Sequence, residues 1–480
     1  MSAASVGLVV GCILTVGSIS CGQRSTPGID AKIDEPSVGL PVRHRWNPTQ
    51  ALRGQGLLQG GLNKRALLPK LALRNLWIVW GDSSAGTDSA YWQAFGMRYG
   101  LSPAPYSNRI DGSTSVDYPM GIVAVDASSA TFDCMICHGS VVAGKSVIGV
   151  GNSLIDLQGL YDDLVELNRL APRFGFPSFP IPFTLTNQTG AAGSSDAMGL
   201  GMGLAIRNDP RRPMLNTTYG FAQAPAWWTQ KFRDQQYTDG SGLLWREASQ
   251  TFGGHRTMMA TLLAFGYSLA ELQSMESEFA DIGQAILATP APKWTLTTID
   301  PARRTAGQEV FRTQCASCHG FYEGDDAGFQ DVIVPTTQLG TDPLRATQFT
   351  QAEAAWINQS WFGEDHPLQA TAGYLSPPLT SVWATAPYFH NGSVPNLRSV
   401  IDSRLRPAVW QRTGSSTSDY DPSLVGWKYT TPIAPSNRAS IVSRRVYDTS
   451  VPGLSNSGHT YGDALSDTQR DALLEYLRTL

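Results

Sequence analysis

Apolar residues recur at helical spacing in several stretches of this chain. Between Leu154 and Leu170, the residues Leu157, Leu160, Tyr161, Leu164 and Leu167 share one face. From Ser268 to Ala288, a Ser268/Glu271 capping box precedes a stripe of Leu272, Met275, Phe279, Ile282 and Ile286. Pro290-Ala-Pro292 then breaks the pattern and marks a domain boundary. Asp300-Pro301, a cap followed by proline at the first helical position, opens a helix that carries Val310 and Phe311 into Cys315. A last helix starts at Ser466, with Gln469 completing its capping box and Leu473, Tyr476, Leu477 and Leu480 as its buried stripe. Elsewhere the pattern is irregular. Residues 71–100 are dense in aromatics (Trp77, Trp80, Tyr91, Trp92, Phe95), and Asn187–Gly203 is rich in Gly, Ser and Ala and reads as a long loop.

The 480 residues are 42% hydrophobic and 16% charged, with a formal charge of −4. Lys and Arg form no basic run, which argues against a nucleic-acid partner. The length suits two or three domains. With 47 glycines and 30 prolines the chain should be mainly helical with extensive loops. Val6–Ile19 is apolar, of signal-peptide length, and ends at Ser20-Cys21-Gly22. This predicts export, with residues 1–21 as a signal of lipoprotein type and Cys21 as the lipidated residue; an ordinary signal peptide is the alternative. The expected location is the periplasm or the outer membrane or cell surface of a Gram-negative bacterium, with membrane contact only through the lipid anchor. Residues 22–70 read as a tether and surface wrap, 71–290 as one domain and 291–480 as another.

Of six cysteines, four form two C-x-x-C-H motifs: Cys134, Cys137 and His138, then Cys315, Cys318 and His319. Thiols three residues apart on a helix point the same way and can reach both vinyl groups of one porphyrin. The following histidine lies on the same face and can ligate the iron. Zinc held by both cysteine pairs would leave the two histidines unexplained. The motifs therefore predict two covalently bound haem c groups in two cytochrome c-type domains with N-terminal and inter-helix extensions. The remaining histidines are His44, His255, His366, His390 and His459, and every methionine lies at or before Met275. The second iron must therefore find its sixth ligand among His366, His390 and His459, or have none. No histidine lies between 138 and 255, so the first iron is expected to keep an exchangeable position for oxygen or peroxide, with His255 either a ligand or a structural residue. Its pocket would draw on Phe221, Trp227, Trp228, Phe252 and Phe265.

The run Val382-Trp-Ala-Thr-Ala-Pro-Tyr-Phe-His-Asn-Gly-Ser-Val-Pro-Asn-Leu397 resembles the second-domain signature of the two-haem cytochrome c peroxidase superfamily, in its rubber-oxygenase branch. Arg406-Pro407, Tyr420-Asp421-Pro422, Tyr447-Asp448-Thr449 and Asn456-Ser-Gly-His459-Thr-Tyr-Gly462 are similar to that branch in order and spacing, as are Ala224-Pro-Ala-Trp-Trp228 and Tyr237-Thr-Asp-Gly240. The resemblance implies that His459 is the second iron's sixth ligand, that His390 lies at that haem's edge, and that the first haem is the reaction site. It also implies calcium between the domains, near Asn216. Thr238 replaces the Trp that peroxidases of the superfamily often carry before Asp-Gly. Glu247 is the only carboxylate between Asp239 and Glu271, and it matches a distal catalytic Glu poorly. These departures favour a haem dioxygenase acting on an unsaturated apolar substrate over a peroxidase. The third reading is an electron-transfer cytochrome that serves a small redox partner protein.

Overall fold

The computed structural model describes residues 39–62, 65–81, 88–107, 118–181, 191–193, 220–243, 245–246, 251–435 and 440–480. Cys21, Asn216 and Glu247 lie outside these, as does most of the loop read at 187–203; of Phe252 and Phe265 only the backbone is described. The fold is mainly helical, with short strands and long connections. No described helix is long and apolar enough to cross a membrane.

In chain order, the elements that position the site begin with α1 (Pro48–Gly56), inside the stretch read as a wrap. Asn47 caps it, its side chain accepting from the amides of Thr49 and Gln50. The strand β1 (Leu68–Pro69) joins an antiparallel sheet with β2 (Ile122–Ala124) and β3 (Ser129–Phe132). The helix α2 (Asp88–Tyr99) carries Tyr91, Trp92 and Phe95, while Trp77 and Trp80 lie on the short helix before it. The short helix α3 (Met135–His138) holds the first motif and runs into a hairpin, β4 (Gly139–Val142) and β5 (Lys145–Ile148). Next comes α4 (Leu157–Leu170), with Leu160, Leu164 and Leu167 buried as the spacing requires.

The helix expected over Ser268–Ala288 is two helices. The capping box at Ser268 is present and opens α6 (Leu269–Ser274), preceded by α5 (His255–Met259). Met275, at φ −100° and ψ 7°, interrupts the helix, and α7 (Glu276–Ala288) follows. Periodicity continues across the break because Leu272, Phe279, Ile282 and Ile286 face one apolar cluster. After the proline-marked break come α8 (Pro301–Gln314) and α9 (Ala316–His319), which carry the second motif; the side chain of Asp300 caps the amides of Ala302 and Arg303. The strands β6 (Val409–Arg412), β7 (Tyr429–Thr430) and β8 (Tyr447–Asp448) form a small antiparallel sheet with β6 central. The chain closes with α10 (Asp467–Leu477), whose Ser466/Gln469 capping box is present.

Each motif lies beside a crossing pair of helices, and each crossing is made by a glycine. At Gly307 of α8 a Cβ would overlap the Ala472 carbonyl of α10; at Gly54 of α1 a Cβ would overlap the Asp281 carbonyl of α7. Backbones can meet this closely only where the side chain is absent. Arg53 adds a two-pronged ion pair to Asp281 across the first crossing, at 2.7 and 2.9 Å. Phe311 of α8 packs on Tyr476 of α10, ring centres 5.3 Å apart.

The largest core mixes both halves of the chain. Trp228 is fully buried with Val142, Val382, Trp383 and Trp427, and its indole N–H donates to the Thr380 carbonyl at 2.9 Å.

Candidate haem sites

At the second motif, the amide of His319 donates to the Cys315 carbonyl at 3.0 Å, so the turn presents both side chains on one face. The Nδ1–H of His319 donates to the Pro377 carbonyl at 2.9 Å, which leaves the Nε2 lone pair free to bind a metal. A second imidazole faces it: the ring centres of His319 and His459 are 6.3 Å apart. Two imidazoles on opposite sides of one metal, each nitrogen about 2 Å from it, have centres about 6 Å apart. Burial, then His319, then Arg406, lower His459 to about 4, so it stays neutral and able to donate its lone pair.

His459 is held by its loop. It sits at φ 48°, a left-handed conformation that costs a non-glycine residue roughly 1–2 kcal/mol. Arg406 donates to the carbonyls of Asn456, Gly458 and His459 at 2.8, 2.6 and 3.1 Å, and its guanidinium lies 4.9 Å over the Phe389 ring. The amide of His459 donates to the Leu339 carbonyl at 2.8 Å.

The other two candidates for that iron have other partners. His390 is stacked on Tyr374 with centres 4.1 Å apart, and its Nε2 lies 3.0 Å from the Tyr374 hydroxyl. His366 is buried, with Nδ1 2.9 Å from Asp365, and its ring lies against Gly253.

At the first motif, the amide of His138 donates to the Cys134 carbonyl at 3.0 Å, and the His138 carbonyl accepts from Gly149 at 2.7 Å. Burial lowers His138 to about 4; the Pro225 carbonyl opposes this from outside good hydrogen-bonding geometry, and Nδ1 has no partner among the described residues. Trp227, expected on the pocket wall opposite His138, stacks on the His138 ring itself, centres 4.9 Å apart. The reason is local: its amide donates to the Gly149 carbonyl, which fixes the indole beside α3. Trp228 points the other way, into the shared core, and Phe221 packs with Trp410, Tyr447 and Leu454. The apolar surface beside Cys134 comes from Met135, Met259, Leu262, Leu263 and Phe279.

His255 borders this cluster, and its Nε2 lies 3.4 Å from Oε1 of Glu276. Arg256 donates to the same oxygen at 2.5 Å and lies 4.8 Å over the Trp361 ring. Glu276 lies beyond Glu271, past the helix break at Met275, and no local sequence signal ties it to His255. The break at Met275 is what turns it toward His255.

Burial keeps the thiols of Cys134 and Cys315 in their neutral form. Burial, then Asp133, then Cys137, push Cys134 up to about 12; burial and then Cys318 push Cys315 up to about 12. Among the described residues no group of three or more His, Cys, Asp or Glu side chains converges as a metal site. The four motif cysteines, His138, His319 and His459 each keep intermediate solvent contact rather than being sealed in the core. Their chemistry and placement fit haem c.

Residues 373–411 match a family described as RoxA-like, cytochrome c-like. That segment implies covalently bound haem c and relates the chain to rubber-oxygenase-like cytochromes. It contains Tyr374, His390 and Arg406, while both C-x-x-C-H motifs lie before it. Two uncharacterised proteins of Sinorhizobium fredii are also similar. One, y4iJ, is 28% identical over 39% of this chain and 41% of its own length; the other, y4iM, is 26% identical over 38% and 49%. The chain thus spans less than half the length of these relatives.

Proposed function

We propose that this chain is an exported two-haem c-type cytochrome oxidoreductase of rubber-oxygenase type, acting on an unsaturated apolar substrate at the haem on Cys134, Cys137 and His138. The haem on Cys315, Cys318 and His319 is its electron partner. The observation that carries this reading is the asymmetry between the motifs: His319 has a second imidazole 6.3 Å away, while His138 is stacked on an indole. Bound haem supplies electron transfer where both axial positions are filled, and oxygen or peroxide chemistry where one is exchangeable. His319 and His459 would hold the second iron from two sides, which suits electron transfer. Trp227 fixes the plane of His138, and the buried side chains of Met259, Leu262, Leu263 and Phe279 keep water from that side of Cys134 and make it apolar. Export follows from Val6–Ile19 and from the extracytoplasmic chemistry of c-type attachment, with Cys21 as the lipid anchor.

A peroxidase is the second reading. Glu276 and His255 form an acid–base pair beside the first motif, and Arg256 adds the positive charge that peroxide cleavage uses.

Carbon monoxide titration of the ferrous protein tests the asymmetry: one equivalent per chain is expected, lost when Cys134 and Cys137 are replaced. Zero equivalents would leave an electron carrier. Oxygen uptake with a polyisoprene substrate and carbonyl products supports the oxygenase. Peroxide turnover abolished by Glu276→Gln, without oxygen uptake, supports the peroxidase instead.

A further inference from the structure

Arg412 ends β6 and is half-buried. Its guanidinium lies 4.0 Å over the Trp427 ring, and Nη2 donates to Ser153 Oγ at 2.9 Å. Nη1 is buried with no partner among the described residues. An unpaired guanidinium N–H out of reach of water is costly.

A second orphan donor is linked to Arg412 through Tyr447. Gln223 Nε2 is also buried without a partner. It fills the position that a side chain at Gly392 would take, where a Cβ would also come 3.1 Å from Tyr447 Oη. Tyr447, on the strand paired with β6, and Asp419 are the ionisable side chains near Arg412 that favour its charged form.

Both donors border the first motif. Ser153 follows Asn152, whose amide donates to the Cys137 carbonyl at 2.7 Å and whose side chain donates to Ile136 at 3.0 Å. Gln223 precedes Ala224, which touches Gly151, and Pro225, which lies beside His138. A planar guanidinium edge with an amide N–H beside it suits a carboxylate.

We propose that Arg412 and Gln223 form a carboxylate site whose occupant is a propionate of the haem bonded at Cys134 and Cys137, so that a residue from the C-terminal half neutralises the haem of the N-terminal half. This rests on the two-haem reading above. A free carboxylate is the other source of the same chemistry.

The test is an equilibrium redox titration of the haem-loaded full chain. Removing the cation leaves the propionate charge uncompensated and stabilises ferric iron. Arg412→Gln should lower one midpoint by a threefold to tenfold change in the oxidised-to-reduced ratio, at most about 59 mV. The other midpoint should not move, and Arg412→Lys should restore most of the shift. A merely structural role would lower the melting temperature and leave the midpoints alone. If Arg412→Gln does not fold, Gln223→Met should lower the same midpoint by a smaller amount. Unmoved midpoints in a two-haem protein overturn this inference alone; a chain with fewer than two haems overturns the proposed function. A wild-type midpoint that shifts with added acetate assigns the site to free carboxylate and overturns the propionate occupant.

Discussion

The carbonyls of Asn456, Gly458 and His459 all accept from one guanidinium, that of Arg406. Hydrogen bonds to a charged group contribute roughly 1.5–3 kcal/mol each when buried, enough to offset the left-handed backbone at His459. Arg406 is therefore a positioning residue for His459 rather than a ligand. Arg406→Met should shift the second haem toward a high-spin, one-sided state by about tenfold, from one such bond's worth of free energy. His459→Ala should do so completely, and Arg406→Lys partially, because a point charge cannot bridge three carbonyls. Low-temperature electron paramagnetic resonance reads the spin state. An unchanged low-spin signal in Arg406→Met would refute this role.

Among the elements, the two helix crossings decide whether a core forms beside each motif. A valine at Gly307 would drive its side chain into the Ala472 carbonyl, and backbone cannot yield as a side chain can. Gly307→Val should cost at least about 2 kcal/mol, since overpacking against rigid neighbours costs roughly 1–3 kcal/mol and β-branching adds to it. Gly54→Val should cost a similar amount at the crossing of α1 with α7. Gly56, two residues further along α1, has open space at its Cβ position, so Gly56→Ala should be neutral or slightly stabilising. Urea unfolding of the three variants separates these outcomes.

Across the whole molecule, a buried polar network ties segments of the two halves. Asp239 pairs with Arg345 at 2.9 Å, both buried. The amide of Gln223 donates to the His390 carbonyl at 2.7 Å, and His390 lies on Tyr374, whose hydroxyl donates to the Asp342 carbonyl. Burial and then Arg345 lower His390 to about 3. The folded value lies below the unfolded one, so the unfolded chain takes the proton first. This stabilisation is complete above pH 6.5 and is lost as the pH falls toward 3, at up to about 1.4 kcal/mol per unit. His390→Gln in the haem-loaded protein should flatten that part of the stability profile. A profile identical to wild type between pH 6 and 4 would show that His390 does not contribute.

Much of the site was legible locally. The two C-x-x-C-H motifs, the Ser268 and Ser466 capping boxes and the Asp300-Pro301 start are spaced within a few residues, and local hydrogen bonding settles their geometry wherever they fall in the chain. The Asn47-Pro48 signal has the same form as Asp300-Pro301, but α1 carries few apolar residues to extend it: only Ala51 and Gly54 are buried. Its place against α7 depends on a glycine contact with residues far along the chain. Separation in sequence also hid Glu276 beside His255 and Arg412 beside Ser153. Trp227 and Trp228 are adjacent in sequence yet face different cores, because the Gly149 and Thr380 carbonyls claim them from opposite sides. Composition limited the choice to His366, His390 and His459, and the resemblance pointed to His459. Only the packed structure, which pairs two of them with Asp365 and Tyr374, sets the third imidazole opposite His319.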